Sequence, residues 1–204
     1  MTIAIIGSGN VGGALTKRFW AAGHQIYLGV RNINEFKGSE LVALKNVTAQ
    51  SITEAVQNAE VIVLAAPAQL AAEVAKSLGD VSGKIIIDTM NAVFVKPPGF
   101  TNTADAILAN CNTTDVVKCF NNTGFENMTN PDYNGTAIDM FMAGDSTKGK
   151  AVAKQLALDA GFADCIDFGG NNKFDLIEQF ALCWINLAMM QKMGRGIAFK
   201  MLKR

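Results

Sequence analysis

Length, composition and charge place the chain among single-domain globular α/β proteins. Of its 204 residues, 50% are hydrophobic, 19 are glycine and 4 are proline, which is unlike a disordered, collagenous or membrane protein. Lys+Arg and Asp+Glu each total 18, so no bulk positive charge attracts nucleic acid. We therefore expect no nucleic-acid partner.

The first residues predict a buried strand rather than a signal peptide. Met1 and Thr2 lead directly into the apolar run Ile3–Ile6, which ends in a glycine loop. No apolar run approaches the roughly 20 residues that a membrane helix needs. We expect a cytoplasmic protein without a membrane partner. The cysteines form no C-x-x-C pair, so we expect no metal site.

Short apolar runs rich in β-branched residues predict buried strands. Segments with helical spacing of apolar residues separate most of them, and this alternation predicts a Rossmann-type α/β fold: a mostly parallel sheet with helices on both faces. We expect residues 1–172 to form the NAD(P)-binding domain and residues 173–204 a C-terminal helical appendage of the same globular unit. The predicted strands are Thr2–Ile6, Gln25–Val30, Val61–Ala65, Lys84–Ile87, Asp115–Cys119, Ile138–Ala143 and Asp164–Asp167.

A glycine motif follows the first predicted strand and opens the first predicted helix. In this G-x-G-x-x-G pattern, Gly7 permits a tight turn, Gly9 lets backbone approach a pyrophosphate, and Gly12 lets the helix pack closely on the strand. The free N–H groups of the helix start favour phosphates. The motif predicts a dinucleotide site, the alternative being a glycine-rich turn without a ligand. The predicted binding residues are Gly7, Ser8, Gly9, Asn10, Val11 and Gly12.

The end of the second predicted strand decides which dinucleotide is expected. NAD enzymes usually place an acid about 20 residues beyond the motif, but here no acid occurs before Glu35. The guanidinium of Arg31 can bind a 2′-phosphate through paired charge-assisted hydrogen bonds, and Lys37 adds a second charge. The sequence therefore predicts NADP(H) rather than NAD(H), unless Arg31 is an ordinary surface residue.

Three further loops follow predicted strands and should meet at the carboxyl edge of the sheet, where open α/β folds bind ligands. The first contains Ala65, Ala66 and Pro67, whose small or rigid side chains would let a flat ring pass. In the other two, Asn91 and Asn121 are candidates for hydrogen bonds to a carboxamide or ribose. Turn and capping roles are the alternative for each residue.

No acid–base residue is evident in the sequence. The single histidine, His24, lies in a turn at the edge opposite the cofactor, no Tyr-x-x-x-Lys pair occurs, and no lysine has an evident acidic partner. We therefore predict no catalytic side chain. The acceptor should take hydride without a protein proton donor, as a flavin or deazaflavin does.

Over nearly its whole length the chain resembles the NADPH-dependent coenzyme F420 reductase family, which is related to the reductase domain of the STEAP ferric reductases. The resemblance implies that Val30 and Arg31 hold the 2′-phosphate, and that a flavin or coenzyme F420 is the co-substrate of NADP(H). Two residues depart from the family pattern. Val30 lacks the hydroxyl that is common at its position, and Ala68 stands where the deazaflavin reductases have an aromatic residue after the proline. The residues that carry the resemblance are Ile5–Gly12, Gly23–His24, Gly29–Arg31, Ala66–Pro67, Val117–Asn121, Ala143–Asp145 and Gly194–Lys200.

The sequence thus predicts an NADP(H)-dependent oxidoreductase that passes hydride to a flavin-like or other small-molecule acceptor. A reductase of a small imine or ketone, and a non-catalytic redox sensor, are the alternatives. We also expect a homodimer, because a partner subunit would bury part of a wide apolar stripe on the C-terminal helix. The alternative is that the helix packs wholly on its own sheet. The stripe consists of Leu176, Ile177, Phe180, Trp184, Leu187 and Met190.

Overall fold

The computed structural model describes all 204 residues. The strands are β1 (Thr2–Ile6), β2 (Gln25–Val30), β3 (Val47–Ser51), β4 (Val61–Leu64), β5 (Ile85–Asp88), β6 (Val116–Cys119), β7 (Asp132–Tyr133), β8 (Thr136–Ala137), β9 (Met140–Ala143) and β10 (Cys165–Asp167). The α-helices are α1 (Asn10–Ala21), α2 (Ile52–Asn58), α3 (Ala71–Ser77), α4 (Thr103–Leu108), α5 (Phe125–Thr129), α6 (Thr147–Asp159) and α7 (Phe174–Ile185). A π-helical turn, Asn186–Met190, extends α7.

Eight strands form one sheet in the order β10-β9-β6-β5-β4-β1-β2-β3, and β7 pairs separately with β8. Six strands, from β6 to β3 in that order, run parallel to one another. Strand β9 pairs antiparallel with β6, and β10 runs parallel to β9. The predicted Rossmann-type, mostly parallel sheet is confirmed, with β1 and its glycine loop near the centre.

Helices cover both faces of the sheet because alternate residues of each buried strand point to opposite sides. Ile3 and Ile5 of β1 belong to the core under α1 and α6. Ala4 and Ile6 belong to the second core, under α2, α3, α4 and α7. The C-terminal helix is therefore confirmed, and it packs on the sheet. No helix has the length and apolar character needed to cross a membrane.

The sheet contains one edge strand that the sequence did not predict. Strand β3 pairs in parallel with β2, yet only Val47 of its five residues is buried. Its remaining residues, Thr48–Ser51, have no apolar run, so the pattern used for the buried strands could not identify it. Helix α6 begins after a capping residue, because the Ser146 hydroxyl accepts a hydrogen bond from the Gly149 N–H at 2.8 Å.

The apolar stripe of α7 lies mostly inside the chain. Ile177 and Trp184 are buried, and the ring of Phe180 lies 4.8 Å from that of Phe141 and 4.7 Å from that of Phe199. Most of the stripe is therefore covered within the chain, by β9 and the C-terminal segment, which was the alternative to a partner subunit. Only Leu176 and Met190 remain exposed.

Trp184→Glu is accordingly expected to destabilise the monomer fold rather than to dissociate a dimer. The Trp184 side chain is 3% exposed and its Nε1 donates to the Ile197 carbonyl at 2.7 Å. Loss of the ring and burial of a carboxylate should lower the free energy of unfolding by about 3–5 kcal/mol. Urea denaturation measures this, with Leu176→Glu, at an exposed position of the same helix, as control. A Trp184→Glu protein as stable as wild type would contradict it.

Candidate dinucleotide site

The glycine motif that joins β1 to α1 contains three glycines in distinct environments, Gly7 and Gly9 in the turn and Gly12 in the helix. A Cβ on Gly7, whose φ is +102°, would clash with the Ala65 carbonyl, and a Cβ on Gly12 would clash with the Gly7 carbonyl. These two glycines therefore permit the close approach of β1, α1 and the loop after β4. A Cβ on Gly9 would meet nothing within 4 Å. Gly9 therefore lies beside open space.

The amino end of α1 faces the same open space. Gly9 is the residue before the helix, no side chain caps the first turn, and the first turn contains no acidic residue. The first N–H groups of the helix thus keep their hydrogen-bonding capacity and the positive end of its dipole. The residues present fit a pyrophosphate, because they combine free donors, positive potential and room beside Gly9.

The segment after β2 lies against the glycine loop. Gly38 has a φ of +84°, and its Cβ would approach the Ser8 carbonyl at 2.9 Å. The Nζ of the exposed Lys37 donates to Oδ1 of Asn10 at 2.8 Å. These residues line part of a pocket of about 210 Å³. The structure thus brings Lys37 to the start of α1, 27 residues earlier in the chain.

Val30 and Arg31 differ in where their side chains lie. Val30 ends β2 and is 6% exposed, within the core on the α1 face. Arg31 comes directly after the strand and is exposed. The guanidinium of Arg31 is therefore free to meet an anion at the carboxyl edge of β2, whereas Val30 offers that edge only its backbone.

The loops after β4, β5 and β6 meet at the carboxyl edge of the sheet. Ala65 and Ala66 are half-buried and Pro67 is exposed. Asn91 and Asn121 bind each other: Nδ2 of Asn121 donates to Oδ1 of Asn91 at 2.9 Å, and Nδ2 of Asn91 donates to the Asn121 carbonyl at 2.5 Å. Asn121 is 3% exposed, whereas Asn91 is half-buried. Asn91 is therefore the member of the pair that faces outward.

Beneath these loops lies a buried ionic cluster, which we define as Lys118, Asp88, Glu178 and Thr103. The Lys118 Nζ lies 2.7 Å from Oδ2 of Asp88 and 2.7 Å from Oε1 of Glu178. It also donates to the Thr103 hydroxyl at 2.6 Å. The side chains of Lys118 and Asp88 are 0% exposed and that of Glu178 is 4% exposed. The prediction that no lysine has an acidic partner was therefore wrong.

One sequence signal pointed to this cluster. Lys118 interrupts the apolar run Val116–Cys119, and a lysine inside a buried strand must be paired. Asp88, one of its two acidic partners, directly follows Ile85–Ile87 in the neighbouring strand but lies 30 residues earlier in the chain. Because the cluster is closed to solvent, it cannot exchange a proton directly with a ligand.

An ion pair joins the C-terminal segment to α5, next to the loop after β6. The Arg195 guanidinium donates to both carboxylate oxygens of Glu126, at 2.6 and 3.0 Å. These hydrogen bonds lower the pKa of Glu126 below its ordinary value. The same guanidinium lies 5.4 Å from the ring centre of Trp184. The chain after α7 is thereby held at the ligand edge.

Of the other reactive side chains, that of His24 lies away from this edge, and those of Cys119 and Cys165 are buried. His24 is in the turn between α1 and β2, with its Nε2 2.9 Å from Oδ2 of Asp159. The Sγ atoms of Cys119 and Cys165 are buried and lie 3.8 Å apart, and burial raises the pKa of the Cys119 thiol well above its ordinary value. No group of three or more His, Cys, Asp or Glu side chains is arranged to hold a metal ion.

Several solved structures share this fold. A protein from Arthrobacter sp. FB24, provisionally described as an F420-dependent NADP reductase, matches at a TM-score of 0.84 with 22% identity, over 100% of both chains. A hypothetical protein from Sinorhizobium meliloti matches at 0.70 with 25% identity, over 100% of this chain and 96% of the other. An imine reductase from Streptomyces aurantiacus matches at a TM-score of 0.67 with 16% identity. The match covers 94% of this chain but only 64% of the imine reductase.

Comparison at the level of sequence finds a similarity in the first part of the chain. None of the curated proteins compared matches the chain. The family model described as NADP oxidoreductase, coenzyme F420-dependent, matches residues 2–92. This range includes the glycine motif, Arg31, the loop after β4 and Asn91. The match covers somewhat less than half of the chain, so residues 2–92 are similar to this family of NADP-dependent oxidoreductases.

Proposed function

We propose that the protein transfers hydride between NADP(H) and a flavin or deazaflavin acceptor of the coenzyme F420 type. The observation that carries the proposal is the open space beside Gly9, which faces an uncapped helix start and lies at the same edge as the free guanidinium of Arg31. Room, donors and positive charge for a phosphorylated dinucleotide thus occur together.

Each part of the edge has a proposed role in binding. The backbone of Gly7–Gly12 receives the pyrophosphate, and Arg31, with Val30 backbone, Ser8 and Lys37, receives the 2′-phosphate end. Ala65, Ala66 and Pro67 leave room for the flat nicotinamide ring. Asn91, hydrogen-bonded to Asn121, binds the nicotinamide carboxamide. When bound, NADPH supplies the hydride; the protein's residues hold and orient it.

The choice of acceptor follows from the absence of an accessible acid–base pair. Lys118, Asp88 and Glu178 are closed to solvent, and His24 lies at the opposite edge. A ring that accepts an electron pair without a protein proton donor suits such a site better than a ketone does. This favours a flavin-like acceptor.

An acceptor panel tests the proposal. Anaerobic oxidation of NADPH, followed at its absorbance maximum, should be supported by coenzyme F420, FMN or FAD and not by ferric chelates or quinones alone. Turnover with a ketone–amine mixture only would favour an imine reductase, the second candidate, which the shared fold supports. Tight binding of NADPH with no turnover on any acceptor would favour a redox sensor.

Arg31→Glu should selectively weaken NADP(H). Repulsion of the 2′-phosphate and loss of charge-assisted hydrogen bonds should together cost about 2–4 kcal/mol of binding free energy, with little effect on NAD(H). Isothermal titration calorimetry with both dinucleotides measures this. Lys45→Glu is the matched control, because Lys45 is exposed before β3, at the opposite edge. Equal losses for both dinucleotides would show that Arg31 does not read the phosphate.

We also propose that the protein is a cytoplasmic homodimer, on a smaller surface than the sequence indicated. Met189 and Met190, at the end of the C-terminal helix, and Met193, just beyond it, are 52%, 52% and 60% exposed. Adjacent exposed apolar side chains of this size favour a two-fold contact. Sedimentation velocity at micromolar concentration tests it: a monomer in wild type would refute the dimer.

A further inference from the structure

The buried ionic cluster holds the backbone of the loop that contains Asn91. Oδ1 of Asp88 accepts from the Met90 N–H at 2.9 Å, and Lys118 Nζ donates to the Met90 carbonyl at 2.9 Å. Oε2 of Glu178 accepts from the Ala92 N–H at 3.1 Å. The residues on both sides of Asn91 are therefore bound by the charged side chains of the cluster.

The partner of Asn91 is connected to the same cluster. Asn121, which donates to Asn91, follows Lys118 by three residues at the end of β6. Its Nδ2 also lies 3.5 Å from the Ile177 carbonyl, one residue before Glu178 in α7. Thus the backbone on either side of Asn91 and the amide that it binds are set by one network of buried groups.

A role limited to stability does not require this arrangement. One ammonium and two carboxylates removed from water carry a large desolvation cost, and well-packed apolar side chains often serve stability equally well. What apolar side chains cannot provide is directional hydrogen bonding to Met90 and Ala92 on the two sides of a single loop residue. The charges therefore define the orientation of the loop, beyond joining α7 to the sheet.

We propose that Lys118, Asp88 and Glu178 are positioning residues that fix the Asn91 amide for the nicotinamide carboxamide of the bound dinucleotide. The inference rests on the proposed function, since it assumes a dinucleotide at this edge. None of the three touches the ligand; they act through the Met90 and Ala92 backbone and through Asn121. Disturbing them weakens the nicotinamide end of the site and leaves the adenosine end intact.

The test compares two ligands that differ in the nicotinamide half. NADPH carries both ends, whereas 2′,5′-ADP carries only the phosphorylated adenosine end. Glu178→Gln removes one charge and sets an amide N–H₂ against either the Lys118 ammonium or the Ala92 N–H, so the loop must shift. We expect calorimetry to show about a tenfold loss of NADPH affinity, the cost of one misplaced hydrogen bond. The affinity for 2′,5′-ADP should change by less than about twofold, within the scatter of independent sites.

A double-mutant cycle separates positioning from stability. Asn91→Ala should produce the same NADPH-specific loss, and adding Glu178→Gln to it should produce little more, because both changes remove one interaction. If Glu178→Gln does not fold, Thr103→Val carries the same prediction, since it removes a hydroxyl of the cluster at nearly constant volume. Lys150→Met, which breaks the surface pair with Asp167, should change neither affinity.

The outcomes are distinct. Equal losses of NADPH and 2′,5′-ADP affinity, or a lower melting temperature with both affinities retained, would overturn the positioning role and leave the cluster as a structural anchor. Additive losses in the Asn91→Ala background would overturn it as well. Failure of the wild-type protein to bind either ligand would instead overturn the proposed function, and this inference with it.

Discussion

Gly9→Val is expected to abolish binding of NADP(H) and NAD(H) while leaving the fold intact. A Cβ at Gly9 meets no atom within 4 Å, and the φ of −72° at this position suits any L residue. The valine side chain therefore occupies only the space that the pyrophosphate needs, and its cost at a helix N-cap is about 1 kcal/mol or less relative to glycine. Calorimetry measures the affinity for each dinucleotide, and urea denaturation measures the stability of the fold.

Gly12→Val provides the contrasting variant within the same motif. Its Cβ would clash with the Gly7 carbonyl, and Ile5 lies 3.3 Å from it. Overpacking of this kind costs about 1–3 kcal/mol or more, so the Gly12 variant should lose stability together with binding. Micromolar dinucleotide affinity in a folded Gly9→Val protein would contradict the site, and equal destabilisation of the two variants would contradict the distinction between the glycines.

Lys118→Met should lower the free energy of unfolding by about 3–5 kcal/mol, because it leaves two carboxylates buried without their cation. Asp88 and Glu178 each lie 2.7 Å from the Lys118 Nζ, and Lys118 and Asp88 are fully closed to solvent. Methionine nearly matches the length of the lysine stem, so lost volume contributes little to the effect. Urea denaturation at neutral pH measures it.

Lys150→Met is the matched control for the burial of charge. Its Nζ lies 2.8 Å from Oδ2 of Asp167, nearly the same distance as in the buried pairs, but the two side chains are 20% and 45% exposed. Removal of such a surface pair should cost about 1 kcal/mol or less, because water replaces the lost partner. Similar losses in the two variants would show that burial does not govern the cost of removing Lys118.

Local signals in the sequence predicted the centre of the fold correctly. The β1 strand, the glycine motif and the α1 helix follow one another in 21 residues, so apolar periodicity and helix punctuation identify them without long-range information. The edge strand β3 was missed because only Val47 is buried, and pairing with β2, rather than its own pattern, makes Thr48–Ser51 a strand.

Long-range contacts could not be predicted in the same way. The topology of a parallel sheet correctly placed the loops with Asn91 and Asn121 at one edge, but it could not reveal that their amides bind each other. Lys118 meets Asp88 and Glu178 only after three different elements have packed. Likewise, periodicity identified α7 but could not show that Phe199, beyond the helix, covers Phe180.

The antiparallel pairing of β9 with β6 determines the direction in which the last helix crosses the molecule. Because β9 and β10 run opposite to the other six strands, the chain leaves β10 at the edge remote from the glycine loop. Helix α7 then runs back across the sheet, so that Glu178 reaches Ala92 and Trp184 lies against Gly124. If β9 and β10 ran parallel to β6, β10 would end at the ligand edge and α7 would run away from it. One reversed strand pair thus allows a single terminal helix both to cover the sheet and to line the ligand edge.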